Sequence, residues 1–157
     1  MHGQTYLRLR RRLNEPPELP TWPDGVRLER FTESAASEAH ALLALAYADG
    51  GGSVPSFGDW WSALTADSEY DSSLCFPVRD GEGTLVAFAQ CWTSAFVKDV
   101  VVHPDFRRRG IARALLLHVF RVFQERGAQA VELKVEINNP TGAIALYEGL
   151  GMVRIAS

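Results

Sequence analysis

The sequence predicts an α/β domain built on a mixed central sheet flanked by helices. Three observations lead there. Short segments alternate apolar and polar residues as half-buried strands do, most cleanly where Val131, Leu133, Val135 and Ile137 interleave with Glu132, Lys134 and Glu136. Asp80-Gly81-Glu82-Gly83 separates two apolar runs, which makes a hairpin. Phe96 to Val102 and Ala130 to Ile137 are joined through a long apolar helix, which makes a strand–helix–strand crossover. A chain holding both hairpin and crossover builds a mixed sheet.

Taken in order, Tyr6 to Leu13 opens with apolar–basic alternation and reads as a strand. Asn14 to Pro23 contains Pro16, Pro17, Pro20 and Pro23 and reads as an extended, stiff linker. Residues 1–25 are thus an N-terminal strand and linker, ahead of a domain over 26–157. Val26 to Phe31 alternates as a short strand. Ser34 is an N-cap residue type for a helix reaching about Asp49, with Ala39, Leu42, Leu43 and Ala46 at helical spacing. Gly50-Gly51-Gly52-Ser53 is a loop with no following Lys-Ser/Thr pair, so it lacks the phosphate-loop pattern. Ser56 to about Ala66 is a second helix bearing Trp60 and Trp61. Leu74–Arg79 and Thr84–Thr93 are the hairpin strands, and Phe96–Val102 follows. Gly110 to about Arg126 is a helix stopped by Gly127. Its apolar residues (Ile111, Leu115, Leu116, Val119, Phe120, Phe123) cover most of its circumference, so it should lie deep against the sheet. Ala130–Ile137 is a strand, Thr141–Gly149 a short helix and Met152–Ile155 a last strand.

The 157 residues carry a formal net charge of -3, with 46% hydrophobic and 22% charged content, ordinary for one domain with one sizeable core. That balance argues against nucleic acid as a partner; the arginines at 8, 10, 11, 12 and 107–109 are local exceptions. No apolar run reaches the ~18 residues of a membrane span, and no hydrophobic segment follows the charged N-terminus. A cytoplasmic protein without a membrane partner is expected. Cys75 and Cys91 lack zinc-site spacing and are expected as reduced core thiols. The histidines lie scattered at 2, 40, 103 and 118, so no metal is expected.

Two segments bear chemistry. The β-branched run Val100-Val101-Val102 stops at His103-Pro104, and Arg107-Arg108-Arg109-Gly110-Ile111-Ala112 leads into the apolar helix. The first-turn N–H groups have no intrahelical partners, the helix dipole favours an anion, and Gly110 permits close backbone approach. The arginines add charge, so the segment suits a pyrophosphate. Taken alone, the same residues also describe a basic turn capping a core helix. The second segment runs from Asn138 and Asn139 to Met152 and presents Tyr147, a phenol able to donate a proton to a nearby thiolate, or a packed helix aromatic.

Occurring together and in this order, the two segments resemble the GCN5-related N-acetyltransferase (GNAT) superfamily. Its Arg/Gln-x-x-Gly-x-Gly/Ala motif is matched by Arg107, Gly110 and Ala112. Lys98 to Pro104 is similar to its bulged strand. Its Asn…Ala…Leu-Tyr-Glu-x-x-Gly-Met/Phe pattern is matched by Asn139, Ala143, Leu146, Tyr147, Glu148, Gly151 and Met152. The resemblance covers about residues 26–155 and implies the acyl-CoA N-acyltransferase fold with acetyl-CoA as cosubstrate.

It also implies roles. Backbone groups of Val100 and Val102 would pair with the pantetheine arm like an added strand. An N–H beside the bulge, near Val101 or Val102, would polarise the thioester carbonyl. The N–H groups of Arg108, Arg109, Gly110, Ile111 and Ala112 would hold the pyrophosphate, Asn139 would contact the pantetheine, and Tyr147 would protonate the leaving thiolate. Where some relatives place a glutamate, this strand has Lys98. Asp99 is the nearest carboxylate for the general base and His103 a weaker candidate; the alternatives are a purely structural Asp99 and a base reached through water. The 47–57 loop, the helix with Trp60 and Trp61, and the strand around Trp92 should line the acceptor pocket.

From Asn139 to Ala143 is four residues, one more than in many relatives. That Asn-Pro-Thr-Gly-Ala version looks like the mycothiol synthase-like tandem acetyltransferases, whose C-terminal half this chain resembles. The family's sheet ends with one strand more than Met152–Ile155. Segment 6–13 is therefore expected to fill that last edge position, in its own domain or, through strand exchange, in a homodimer partner. The leading expectation is an acyltransferase moving acetyl from acetyl-CoA to a primary amine of a small molecule or peptide by direct attack in a ternary complex. An inactive acetyl-CoA-binding or sensing module is the alternative. A nucleic-acid module using the arginine clusters is disfavoured by the net charge.

Overall fold

The alternating segments assemble into one sheet with helices on both faces. The computed structural model describes residues 5–48, 53–138 and 142–156. Its strands are β1 (Tyr6–Arg12), β2 (Val26–Leu28), β3 (Cys75–Asp80), β4 (Leu85–Trp92), β5 (Phe96–Val102), β6 (Ala130–Glu136) and β7 (Val153–Ile155). Its α-helices are α1 (Ala36–Tyr47), α2 (Phe57–Ala66), α3 (Ile111–Glu125) and α4 (Ala143–Gly149). The sheet order is β2-β3-β4-β5-β6-β1-β7. β2 to β5 pair antiparallel in sequence order, and β5 and β6 pair parallel, as hairpin and crossover require.

The hairpin turn is set by Asp80, whose Oδ1 accepts the N–H groups of Glu82 and Thr84, both at 2.9 Å. α3 buries Ile111, Ala114, Leu115, Leu116, Leu117, Val119, Phe120 and Phe123. With α4 it covers one face, packing on Leu9 of β1 and on Val131, Leu133 and Val135 of β6. On the other face α1 and α2 enclose Phe31, Cys75, Phe88 and Val101. Among the described residues no helix is long and apolar enough to cross a membrane.

The N-terminal segment supplies a strand of the sheet within its own chain. Its place differs from the expected edge: β1 is inserted between β6 and β7, antiparallel to both, and the edge falls to β7. Leu9 is fully buried, because an inner strand with helices on one face must bury that face. Arg8 and Arg10, on the other face, hold Glu132 at 2.9 and 2.8 Å. No second copy is needed to complete the sheet. The proline-rich stretch lies along α3, where Arg113 reaches Glu18 at 2.7 Å and Gln124 Nε2 donates to the Glu15 carbonyl at 3.2 Å.

Other boundaries shift. Ser34 caps nothing: it lies in a 3₁₀ turn, Glu33–Ala35, and α1 begins at Ala36 with no side-chain cap. β2 is shorter than its sequence pattern, ending at Leu28 rather than Phe31. Ser56 does cap α2, accepting the Asp59 N–H at 3.4 Å.

Burial of β1 makes a direct stability prediction. Leu9→Ala should lower unfolding free energy by about 2–5 kcal/mol and Phe120→Ala by about 3–5 kcal/mol, read from urea midpoints. Val153→Ala on the exposed edge should stay within about 0.5 kcal/mol. A Leu9→Ala midpoint equal to the parent would show that β1 is not part of the cooperative sheet.

Candidate active site

The site begins where two neighbouring strands part. β5 and β6 pair at Phe96–Glu132 and Val97–Leu133 and no further. At the same level β5 carries a bulge against β4: Gln90 lies opposite Asp99 and Cys91 opposite Val97, leaving Lys98 as the extra residue. A bulge bends its strand and re-aims a side chain. From Lys98 to Val102, β5 stays bonded to β4 on one side and presents main-chain groups to an opening on the other. The bulge sits at Lys98, upstream of the amides at Val101 and Val102 expected beside it.

Alternation then sorts the side chains. Val101 packs under α1, while Val100 and Val102 lean toward the α3 side. Asp99 is 9% exposed and faces α1. The Tyr47 hydroxyl, on the last residue of α1, donates to Asp99 Oδ1 at 2.7 Å, and Lys98 Nζ lies 2.9 Å from Oδ2. Burial, followed by the charge and hydrogen bond of Asp99, drives the Tyr47 phenol far above its ordinary value. Gln90, in register with Asp99, is buried; its Nε2 donates to the Cys91 carbonyl at 3.0 Å while its Oε1 has no partner among the described residues.

Tyr147 sits on α4, which starts from the left-handed Gly142 (φ 75°). The residue is 8% exposed, and burial pushes its phenol up to about 12. Asn139 lies outside the described residues.

Beyond β5 the chain makes the predicted turn. His103 is occupied structurally: its Nδ1 accepts the Asp105 N–H at 3.1 Å, capping the 3₁₀ turn Pro104–Phe106. Arg108 (φ 64°) and Gly110 (φ 87°) are both left-handed. Such conformations turn successive amides to one side and form an anion-binding concavity. Among the described residues, the amides from Arg108 to Ala112 find no backbone acceptor. Arg108 and Arg109 are exposed, Arg107 is half-buried, and Arg109 stacks on Phe106 at 4.8 Å.

Trp60 is buried and Trp61 half-buried, both packed in the aromatic cluster with Phe31, Phe57 and Tyr70. Their visible work is packing. Sequence reasoning missed Tyr47 as the partner of Asp99, 52 residues away, because no local pattern announces such a pair. Gln90 did leave a signal: it is the one amide in the otherwise apolar run from Leu85 to Trp92.

Known proteins match this arrangement. The model of the Acetyltransferase (GNAT) family matches residues 39–152. A mycothiol acetyltransferase of Thermobispora bispora is 34% identical over 164 aligned residues, covering 94% of this chain and 53% of that protein. The ribosomal protein bS18-alanine N-acetyltransferase of Escherichia coli K12 is 36% identical over 95 residues, covering 58% of this chain and 63% of that protein. The crystal structure of a GCN5-related N-acetyltransferase from Sphaerobacter thermophilus superposes with a TM-score of 0.84 at 28% identity, over 96% of this chain and 48% of that one. The chain thus spans about half the length of the first and third of these proteins. A split strand pair, a left-handed basic turn before α3 and a matching family model over most of the chain agree: the chain belongs to the Acetyltransferase (GNAT) family.

Proposed function

We propose that this chain transfers an acetyl group from acetyl-CoA to the primary amine of a small molecule or peptide, by direct attack with both substrates bound. The observation carrying this is the continuous path from the free edge of β5, beyond Val97–Leu133, to the unpartnered amides at Arg108–Ala112. An extended amide-bearing arm can add to the free edge as a strand does, through Val100 and Val102. A pyrophosphate fits the amide concavity, with Arg107, Arg108 and Arg109 adding charge. The names of the relatives, a mycothiol acetyltransferase and a ribosomal protein bS18-alanine N-acetyltransferase, agree with acetyl transfer and support a small molecule or a peptide as acceptor.

Asp99 takes the proton of the attacking amine, held in place by Tyr47 through Oδ1. Amides at the bulge, rather than those of Val101 or Val102, face the thioester carbonyl. Tyr147 keeps its proton throughout the neutral range. Since a thiol ionises ordinarily near about 8.5, below this phenol, Tyr147 acts first by hydrogen-bonding the sulfur as negative charge grows on it. Asn139 is assigned the pantetheine contact by its match to the family pattern alone. Holding both substrates at this apex supplies much of the acceleration.

Acetyl-CoA at a hundredfold its Kd should stabilise the protein by about 2.7 kcal/mol, a Tm rise of several degrees. Gly110→Ala should weaken that response, because the left-handed turn strains any side chain. No stabilisation at millimolar acetyl-CoA would end the proposal.

Tyr147→Phe should lower kcat by about 10²-fold or more, with Kd for acetyl-CoA changed less than about twofold. Because burial raises the phenol, its ionisation should remove neither activity nor stability below about pH 10. The stability it contributes is complete below the ordinary tyrosine value and fades as pH climbs toward 12. A basic limb in kcat near pH 8 that disappears in Tyr147→Phe would contradict this assignment.

A further inference from the structure

Lys98 stands in an unusual position for a strand lysine. Neighbouring residues in a regular strand point to opposite faces. Here the bulge breaks the alternation, so Lys98 Nζ meets the carboxylate of its own neighbour, Asp99, at 2.9 Å. Lys98 is also the first residue past the last β5–β6 pair, at the apex of the opening. The chain contains 16 basic residues, of which only Lys98 and Lys134 are lysines. Lys134 is likewise the first residue past that pair on β6. Both side-chain amines of the protein therefore flank one apex. Only Lys98 has a carboxylate in contact; Lys134 is exposed and forms no ion pair among the described residues.

We infer that Lys98 is a self-acetylation site: with no acceptor bound, its ε-amine takes the acetyl group from the acetyl-CoA held in the same opening. This rests on the acetyl-CoA reading of the site above. Asp99 Oδ2 accepts a proton from the Lys98 ammonium, and the freed amine attacks the thioester carbonyl. The new bond is Nζ–C and the broken bond is C–S. The second proton of the attacking nitrogen passes to the departing sulfur, which the Tyr147 hydroxyl hydrogen-bonds while keeping its own proton, and the proton on Asp99 passes to water. The products are Nε-acetyl-lysine and CoA. The acetylated side chain is neutral, so it no longer pairs with Asp99, and Oδ2 is released toward the opening. Tyr47 keeps Oδ1 in place through both states.

The test is to incubate the full chain with acetyl-CoA and no other amine, map acetylated positions by peptide mass spectrometry, and follow thermal stabilisation by acetyl-CoA in parallel. Lys98 should acquire acetyl at least about tenfold faster than Lys134, since only Lys98 combines proximity with a base. Asp99→Asn should slow modification at Lys98 by about 10²-fold or more while leaving slow chemical acetylation of Lys134 unchanged. Lys98→Arg, which keeps the charge beside Asp99, should abolish the modification even if Asp99→Asn fails to fold. Lys134→Arg should leave it intact. Stabilisation by acetyl-CoA with Lys98 and Lys134 modified equally, or not at all, overturns the inference and leaves the acetyl-CoA reading standing. Undiminished Lys98 modification in folded Asp99→Asn also overturns it. Absence of stabilisation removes both.

Discussion

The chain's architecture depends on one extra residue in β5. Lys98 has no counterpart on β4, so the strand bends there, and the bend coincides with the last hydrogen-bonded pair to β6. From that point β5 cannot serve both neighbours. It keeps β4 and gives up β6. Among the described residues the lost pairing leaves a row of main-chain groups on β5 without a strand partner, which opens the sheet there. The same bend carries Lys98 onto the face of Asp99.

An opening in a sheet persists only if its far side cannot close. β1 provides that resistance. It pairs with β6 along the whole of both strands, from Tyr6–Glu136 to Arg12–Ala130, buries Leu9 beneath α3 and ties Arg8 and Arg10 to Glu132. β6 is thereby held to its outer neighbour rather than drawn in toward β5. A segment that looks in sequence like an appendage is an inner strand, and the proline-rich stretch after it is pinned along α3 up to the neighbourhood of Gly110. The opening between β5 and β6 and the N-terminal strand share β6 as a common wall.

Charge is organised around the same point. Asp99 is nearly buried, a costly place for a carboxylate unless donors satisfy it. Tyr47 and Lys98 do so from opposite sides, one from α1 and one from the bulge. Burial raises the phenols of both Tyr147 and Tyr47, so both remain donors in the neutral range. Gln90 adds an oxygen, in register with Asp99, that has no partner among the described residues.

The fold class, the hairpin, the crossover and the basic turn before α3 were legible in the sequence, because each rests on local rules: alternation, turn residues, helical spacing and the freedom of Gly110. The family resemblance of Arg107–Ala112 and of the Tyr147 segment was legible for the same reason, as contiguous patterns. What tertiary structure decided were the long-range pairings. Segment 6–13 displays a strand pattern, but whether it sits at an edge or between β6 and β7 depends on partners more than a hundred residues away. Asp99 is a carboxylate in the sequence; it becomes a clamped, nearly buried one through Tyr47 on a distant helix. Lys98 is a strand lysine in the sequence; its contact with Asp99 appears only with the bulge. Local propensity and period follow from neighbours along the chain. Register, bulge position and the meeting of side chains follow from which strand lies alongside, and that is settled only when the whole sheet packs.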